Sequence, residues 1–184
     1  MPKEDAFVTK AFELAKKILP SPQYEVRRSA PLLYQINIDN KLEIQVDVKK
    51  LVRGKSSFET DLCVFEKKSA EVSIPRVVLE FKTKITTHDV LTYSAKALKH
   101  KRIYPYLRYG MVASQELSIP GRLFTHNEAL DFFVAVKDMK EEIFTNFFTE
   151  LLKAEIKTSQ DLERIVYDKK QVRLFRTEVV LKAD

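Results

Sequence analysis

The sequence predicts an α/β domain in which helices flank a central mixed β-sheet. Residues 4–19 carry apolar side chains at helical spacing and end before two prolines, and segments with strand character follow. Helical spacing returns at Thr86, after which short strand-like and helical stretches alternate. The sequence contains no internal repeat and no flexible linker. We therefore expect residues 1–184 to form one domain, with a core over about 4–138 and a C-terminal helical extension over about 139–184.

The first half of the chain is predicted to hold one helix and four strands. The apolar stripe of the helix consists of Phe7, Ala11, Leu14, Ala15 and Ile18. The strands are predicted at 32–39, 42–51, 61–68 and 76–84. The dipeptide Asp39–Asn40 is typical of a hairpin turn and is expected to join the first two of them.

The second half of the chain begins with a helix whose start is marked by a capping box, Thr86 with Asp89. The apolar face of this helix is predicted to consist of Val90, Leu91, Ala95 and Leu98. Short strands are predicted at 109–114 and 131–138, and helices at 140–156 and 159–168. Residues 171–182 fit a strand or a helix equally well.

The composition points to an intracellular protein with a lean towards anionic partners. The net charge is +6 and the pI is about 9.2. A single cysteine, Cys63, excludes an internal disulfide and suits the reducing cytoplasm. No apolar run approaches the roughly 18 residues of a membrane span, and the N-terminus lacks the apolar segment of a signal peptide, so no membrane association is expected.

Several common kinds of site are excluded by residue counts and spacing. The three histidines have no metal-ligand spacing, and one cysteine cannot build a zinc cluster. Three glycines are too few for a phosphate-binding or dinucleotide-binding loop, and no G-x-S-x-G motif occurs. The chemistry that remains is that of carboxylates and lysine.

The strand "IPRVVLEFKTK" ends in an acid and a base that share one side of the strand, Glu80 and Lys82. Asp61 opens the preceding strand, and the short connection between the two strands predicts that they are neighbours in a sheet. Two carboxylates at one point favour a divalent cation, and hard oxygen ligands suit Mg²⁺ (or Mn²⁺). Lys82 would then lie beside a metal-bound water and a phosphate, where it activates water or stabilises developing charge. This trio suits phosphodiester hydrolysis.

The stretch "FETDLCVFEKK…PRVVLEFKTK" resembles the PD-(D/E)xK nuclease superfamily, the restriction-endonuclease-like fold. The resemblance implies an αβββαβ core in which Asp61 and Glu80 hold the metal and Lys82 is the catalytic lysine. Thr60 stands where the motif often has proline. Some family members add an acid from the first helix, which would be Glu13 here, although its position favours a solvated surface. Asp47 is a rival for the metal-binding aspartate.

The helix after the motif places Asp89, Tyr93, Lys96 and His100 on one ribbon, which is predicted to lie opposite its apolar stripe. Lys96 is the best candidate for a phosphate contact from this ribbon, and Tyr93 is a further candidate. The following residues Lys99, Lys101, Arg102 and Arg108 are interleaved with Tyr104, Tyr106 and Tyr109. Basic residues among aromatics suit contacts with nucleic acid.

The sequence therefore predicts a Mg²⁺-dependent DNA endonuclease, most like a type II restriction endonuclease and acting as a homodimer on double-stranded or branched DNA. A nuclease that resolves Holliday junctions is the alternative within the same class. Two readings from other classes stay open. In one, the chain is a non-catalytic DNA-binding subunit with the same fold. In the other, the acid and base of "LEFKTK" are a surface pair in an unrelated α/β protein.

Overall fold

The computed structural model describes residues 3–48, 50–54 and 56–175. The elements in chain order are α1 (Lys3–Ile18), β1 (Tyr24–Leu33), β2 (Ser57–Lys67), β3 (Ser73–Lys82), α2 (Thr87–Ile103), β4 (Arg108–Ala113), α3 (Gly121–His126), β5 (Phe132–Ala135) and α4 (Glu141–Tyr167). The five strands form one sheet in the order β1-β2-β3-β4-β5. The first three strands are antiparallel neighbours, and β4 and β5 add to β3 in parallel. The predicted mixed sheet flanked by helices is confirmed.

The sheet has an apolar core on each face. One core combines strand residues with α1 and α4, and it includes Ala11, Leu79, Phe81 and Phe148. The other core lies on the side of α2 and α3 and includes Val78 and Val90. The central strand β3 is covered on both faces, which explains its nearly continuous apolar sequence.

Pro75 lies inside β3, although proline cannot donate a hydrogen bond to a neighbouring strand. The register between β2 and β3 shifts between Val64 and Phe65, next to the pair that Phe65 forms with Pro75. A bulge of this kind leaves the ladder interrupted where the proline has no N–H to offer. The strand continues beyond it to Lys82.

The predicted strands at 32–39 and 42–51 are wrong. The chain pairs β1, eight residues earlier, with β2, and the segment between β1 and β2 makes only an isolated bridge between Ile38 and Ile44 among its described residues. A turn does form at Asp39, whose carboxylate accepts hydrogen bonds from the N–H groups of Lys41 and Glu43 at 2.8 and 3.0 Å. Most apolar side chains of this segment are exposed, among them Ile36, Ile38 and Ile44, so their alternation reflects no core. As the edge strand, β1 pairs on one side only and tolerates arginines and a proline.

The later elements agree better with the sequence. Strand β4 lies within one residue of its predicted bounds, β5 is shorter than predicted, and α3 was not predicted. The break predicted between two C-terminal helices is wrong, because α4 runs without interruption through Ser159, which is buried against the Arg76 guanidinium. Phe144, Phe148 and Leu152 of α4 belong to the core with α1. Of 171–182, residues 171–175 have no regular structure and the rest lie outside the described residues.

Substitution of Gly110 tests the contact between β4 and β5. A Cβ at this position would lie 2.2 Å from the ring of Phe132, the residue paired with Gly110. We expect Gly110→Ala to lower the free energy of unfolding by ~1–3 kcal/mol, because the ring must move in a packed site. Urea denaturation measures the effect. The matched control is Gly121→Ala, where the added Cβ meets no described atom within 4 Å; equal stability losses in both variants would contradict the prediction.

Candidate functional site

The sheet brings Asp61 and Glu80 together where β2 and β3 separate. The ladder between these strands ends at the pair Leu62–Leu79, directly beside both carboxylates. Past this pair, side chains replace the backbone ladder: the Asp61 carboxylate accepts from the N–H of Phe81 at 2.8 Å, and the Glu80 carboxylate accepts from the N–H of Asp61 at 3.3 Å. The predicted convergence of the two acids is therefore present, and each acid is bonded to the other strand.

Glu80 is buried, with 1% of its surface exposed. The hydroxyl of Tyr109 donates a hydrogen bond to its Oε1, and Nζ of Lys96 lies 3.5 Å from the same oxygen. Burial raises the pKa of Glu80 from 4.5 to about 7, the nearby charge of Asp61 adds to the rise, and the Lys96 ammonium opposes it. The site therefore contains a carboxyl group that titrates near neutral pH.

Lys82 lies at the end of β3 and is held by the first turn of α1. Its Nζ is 3.1 Å from Oε1 of Glu4 and 5.7 Å from the ring centroid of Tyr93. Burial by itself would lower the pKa of Lys82, but the hydrogen bond and charge of Glu4, with a contribution from Tyr93, outweigh it and hold the pKa above its ordinary value. Lys82 is thus a cation at neutral pH. Burial and the charge of Glu80 raise the pKa of Tyr93 to about 12, so its hydroxyl keeps its proton.

Helix α2 turns its polar ribbon towards the sheet, which corrects the predicted apolar face. Leu91 and Leu98 are 48% and 37% exposed, and Ala95 is also exposed. The buried residues of α2 are Val90, Ser94, Ala97 and His100. The rotation brings Tyr93 and Lys96 over the strand ends, where Lys96 compensates the charge of Glu80 and donates to the backbone carbonyl of Glu59 at 3.4 Å. Burying the Glu80 carboxylate without these polar partners would cost more free energy than leaving two leucine side chains exposed.

His100 lies beneath this cluster and is fully buried. Its Nδ1 is 2.8 Å from the carbonyl oxygen of Leu33, and its ring stacks on Tyr109 with centroids 5.7 Å apart. Within the described part of the chain its Nε2 is buried without a hydrogen-bond partner. Burial lowers the pKa of His100 to about 4, so the ring is neutral at physiological pH. His100 thus supports Tyr109, which in turn bonds to Glu80.

The predicted nucleic-acid-binding residues are divided between two environments. Lys96 reaches the carboxylate site, and Lys99 and Arg102 are exposed. Lys101 and Arg108 both pair with Asp131, at 2.6 and 2.8 Å, and Arg108 also pairs with Glu155 at 2.6 Å. These internal ion pairs give Lys101 and Arg108 a role in joining α2, β4 and α4. Contact of any of these residues with DNA stays a prediction.

Sequence reasoning missed Glu4 and Tyr109 and offered other acids instead. Glu13 is exposed and pairs with Lys16 at 4.0 Å, and Asp47 is exposed in the segment between β1 and β2. The acid that α1 does bring to the site is Glu4. Glu4 lies on the same face of α1 as the buried residues Val8, Ala11 and Ala15, which follow it at i+4, i+7 and i+11. An acid at the start of this apolar face is the sequence feature that could have identified it. The sequence indicates Tyr109 only as one of the tyrosines among basic residues that suit contact with nucleic acid, and its bond to Glu80 was not predicted.

No protein-family model matches the chain, and no curated protein matches its sequence. No helix among the described residues is long and apolar enough to cross a membrane. The fold and the site define the chain as an α/β protein with two carboxylates and a lysine at the separating ends of neighbouring strands of a mixed sheet.

The raised pKa of Glu80 predicts how Glu80→Gln changes stability with pH. Between pH 4.5 and about 7 the folded protein keeps a proton on Glu80 that the unfolded chain releases. The contribution of Glu80 to stability is therefore greatest below pH 4.5 and is lost as the pH rises through 7. Gln does not titrate, so at pH 8 we expect Glu80→Gln to be more stable relative to wild type than at pH 4 by ~1–3 kcal/mol. Urea denaturation at both pH values measures this, and Glu13→Gln, on an exposed acid, should show no such difference.

Proposed function

We propose that the protein is a Mg²⁺-dependent DNA endonuclease of the PD-(D/E)xK type, most like a type II restriction endonuclease. The observation that carries this proposal is the meeting of Asp61 and Glu80 where β2 and β3 separate, with Lys82 two residues further along the same strand. The order α1, β1, β2, β3, α2, β4 also matches the αβββαβ core that the resemblance implies.

The site offers Mg²⁺ a donor set of two carboxylates, those of Asp61 and Glu80. Among the described residues no group of three or more His, Cys, Asp or Glu side chains is arranged to hold a metal ion. Mg²⁺ does not require one, since it keeps several waters and is commonly bound through one or two carboxylates with substrate phosphate completing the shell. Asp61 and Glu80 supply hard oxygen ligands of this kind and would hold the ion. When bound, Mg²⁺ supplies charge stabilisation at the phosphate and a more acidic water.

Two lysines of the chain, Lys82 and Lys96, are the cations nearest to this part of the site. Lys82 stabilises negative charge that develops on the phosphoryl oxygens, and in the absence of substrate its ammonium is paired with Glu4. Lys96 contacts Glu80 now and lies where it can turn to a phosphate when DNA enters. The ring of Tyr93 is near both ammonium groups, with its centroid 5.7 Å from Nζ of Lys82 and 4.9 Å from Nζ of Lys96.

The test is cleavage of supercoiled plasmid and of a four-way branched DNA, each with and without Mg²⁺. We expect Mg²⁺-dependent cutting by the wild type and a loss of roughly 100- to 1000-fold in Lys82→Ala, because it removes a preorganised charge at the phosphate. Lys84→Ala is the matched control, since Lys84 lies two residues further along and is exposed. It should cut at the wild-type rate.

The cleavage products distinguish a restriction endonuclease from a junction-resolving nuclease. Cutting at fixed duplex sites supports the restriction class, whereas paired cuts confined to the branch point support a junction-resolving nuclease. Two cuts on opposite strands need two sites, so we also propose that the active species is a homodimer. DNA that is bound and never cut would identify a non-catalytic binding subunit. If DNA is neither bound nor cut, Glu80 and Lys82 are structural residues only.

A further inference from the structure

A pocket of about 330 Å³ lies beside the carboxylate site, within the size range of small-molecule sites, roughly 300–1,000 Å³. Its lining includes Tyr34, Arg53, Phe58, Glu59 and Lys96. Lys96 belongs to both places, because its ammonium contacts Glu80 on one side and lines the pocket on the other. The pocket therefore shares one of its lining residues with the carboxylate site.

Two aromatic rings form a platform in this pocket. The rings of Tyr34 and Phe58 are stacked, with centroids 3.9 Å apart and planes inclined by 11°. The pairing of β1 with β2 brings them together: Phe58 pairs with Leu32, and the N–H of Tyr34 bonds to the carbonyl of Ser56 at 3.0 Å. Both rings are half-buried, so each is held in place and still has an accessible surface.

Cations surround the platform. Nζ of Lys99 lies 5.2 Å from the centroid of Tyr34 and 5.5 Å from that of Phe58, and Nζ of Lys96 lies 6.0 Å from the Phe58 centroid. Arg53 is on the outer wall and is largely exposed. Stacked aromatics inside a cationic groove are the combination that binds single-stranded nucleic acid.

The pocket also contains one carboxylate, that of Glu59, which lies 3.5 Å from the guanidinium of Arg53. A carboxylate repels a phosphate but accepts hydrogen bonds from the amino groups of a base edge. This acceptor next to the aromatic platform fits a nucleobase, and the surrounding lysines and Arg53 fit the phosphates attached to it.

We propose that the pocket receives one unpaired nucleobase of the substrate strand, next to the phosphate that is cut. This inference rests on the proposed nuclease function and, within it, favours the junction-resolving alternative, whose branched substrate offers an unpaired or displaced nucleotide, over cleavage of an intact duplex. The base must be unpaired, because a base inside a duplex already stacks on its neighbours and must leave the helix to reach a protein pocket. Phe58 precedes Asp61 by three residues of one strand, about 10 Å along it, so base and phosphate of neighbouring nucleotides can occupy both places.

The experiment measures binding without cleavage, in EDTA, by fluorescence anisotropy. The probes are a single-stranded oligonucleotide and a blunt duplex of the same sequence. Tyr34→Leu and Phe58→Leu keep an apolar side chain and remove the ring. We expect each to weaken single-strand binding by roughly 5- to 150-fold, the range for loss of one stacked base, with a change of less than twofold on the duplex. Phe124→Leu, on an exposed aromatic of α3, should bind as the wild type does.

A second measurement, the fluorescence of a base analogue, tests whether the base itself stacks on these rings. An oligonucleotide with one 2-aminopurine should lose fluorescence when the wild type binds it, and the leucine variants should restore that fluorescence. Thermal unfolding checks that each variant folds. Lys99→Gln changes an exposed side chain and keeps the test decisive if a leucine variant misfolds. It should reduce the slope of log affinity against log salt by about 0.7 for the single strand.

Three outcomes would overturn the inference. They are a wild-type preference for the blunt duplex, equal losses on both probes in the leucine variants, and binding of free mononucleotides in place of the oligonucleotide. Failure of the nuclease proposal would give a different experimental result. In that case the wild type binds the single strand through Tyr34 and Phe58 and cuts no DNA when Mg²⁺ is added.

Discussion

Burial of the Glu80 carboxylate is the constraint on which the rest of the site depends. A buried carboxylate is costly unless its oxygens are bonded, and here the partners come from three elements: the backbone of β2, Tyr109 of β4 and Lys96 of α2. The same requirement explains why β2 and β3 separate at this point, since Asp61 and Glu80 take over the hydrogen bonds of the ladder. It also explains the rotation of α2, which turns its polar ribbon inward and leaves Leu91 and Leu98 exposed.

The site combines residues from the sheet and from helices on both of its faces. Helix α1 packs against β3 through its small buried residues, and this packing brings Glu4 to Lys82. In the cluster, Lys82 pairs with Glu4 and Lys96 with Glu80, and the carboxylate of Asp61 accepts from the N–H of Phe81. The charges of this cluster, three carboxyl groups and two ammonium groups, are nearly balanced. A phosphate and a divalent cation arriving together would therefore exchange ionic partners without changing the total charge greatly, and neither would be accommodated as easily without the other.

The basic character of the protein has more than one physical origin. Arg76, Lys101 and Arg108 are tied to buried or half-buried acids and serve the packing of α2, β4 and α4 onto the sheet. Lys96 and Lys99 lie instead over aromatic rings at the end of the sheet where Asp61 and Glu80 meet. Of these two, Lys99 is exposed, whereas Lys96 also pairs with the buried carboxylate of Glu80. The net charge of +6 does not distinguish the two groups.

The sequence by itself determined the features that depend on neighbours in the chain: the α/β class, the central strand that ends in Glu80 and Lys82, and the start of α2 at the Thr86–Asp89 capping box. The pattern of a strand and the capping box of a helix each involve only a few consecutive residues, so both can be predicted from the local sequence. Only the tertiary structure decided that β1 lies at Tyr24–Leu33, that Glu4 and not Glu13 reaches the site, and that α2 turns the half-buried Tyr93 and Lys96 towards the strand ends. Each of these depends on partners far away in the sequence, because edge pairing and the burial of a charge are decided by whatever packs against them.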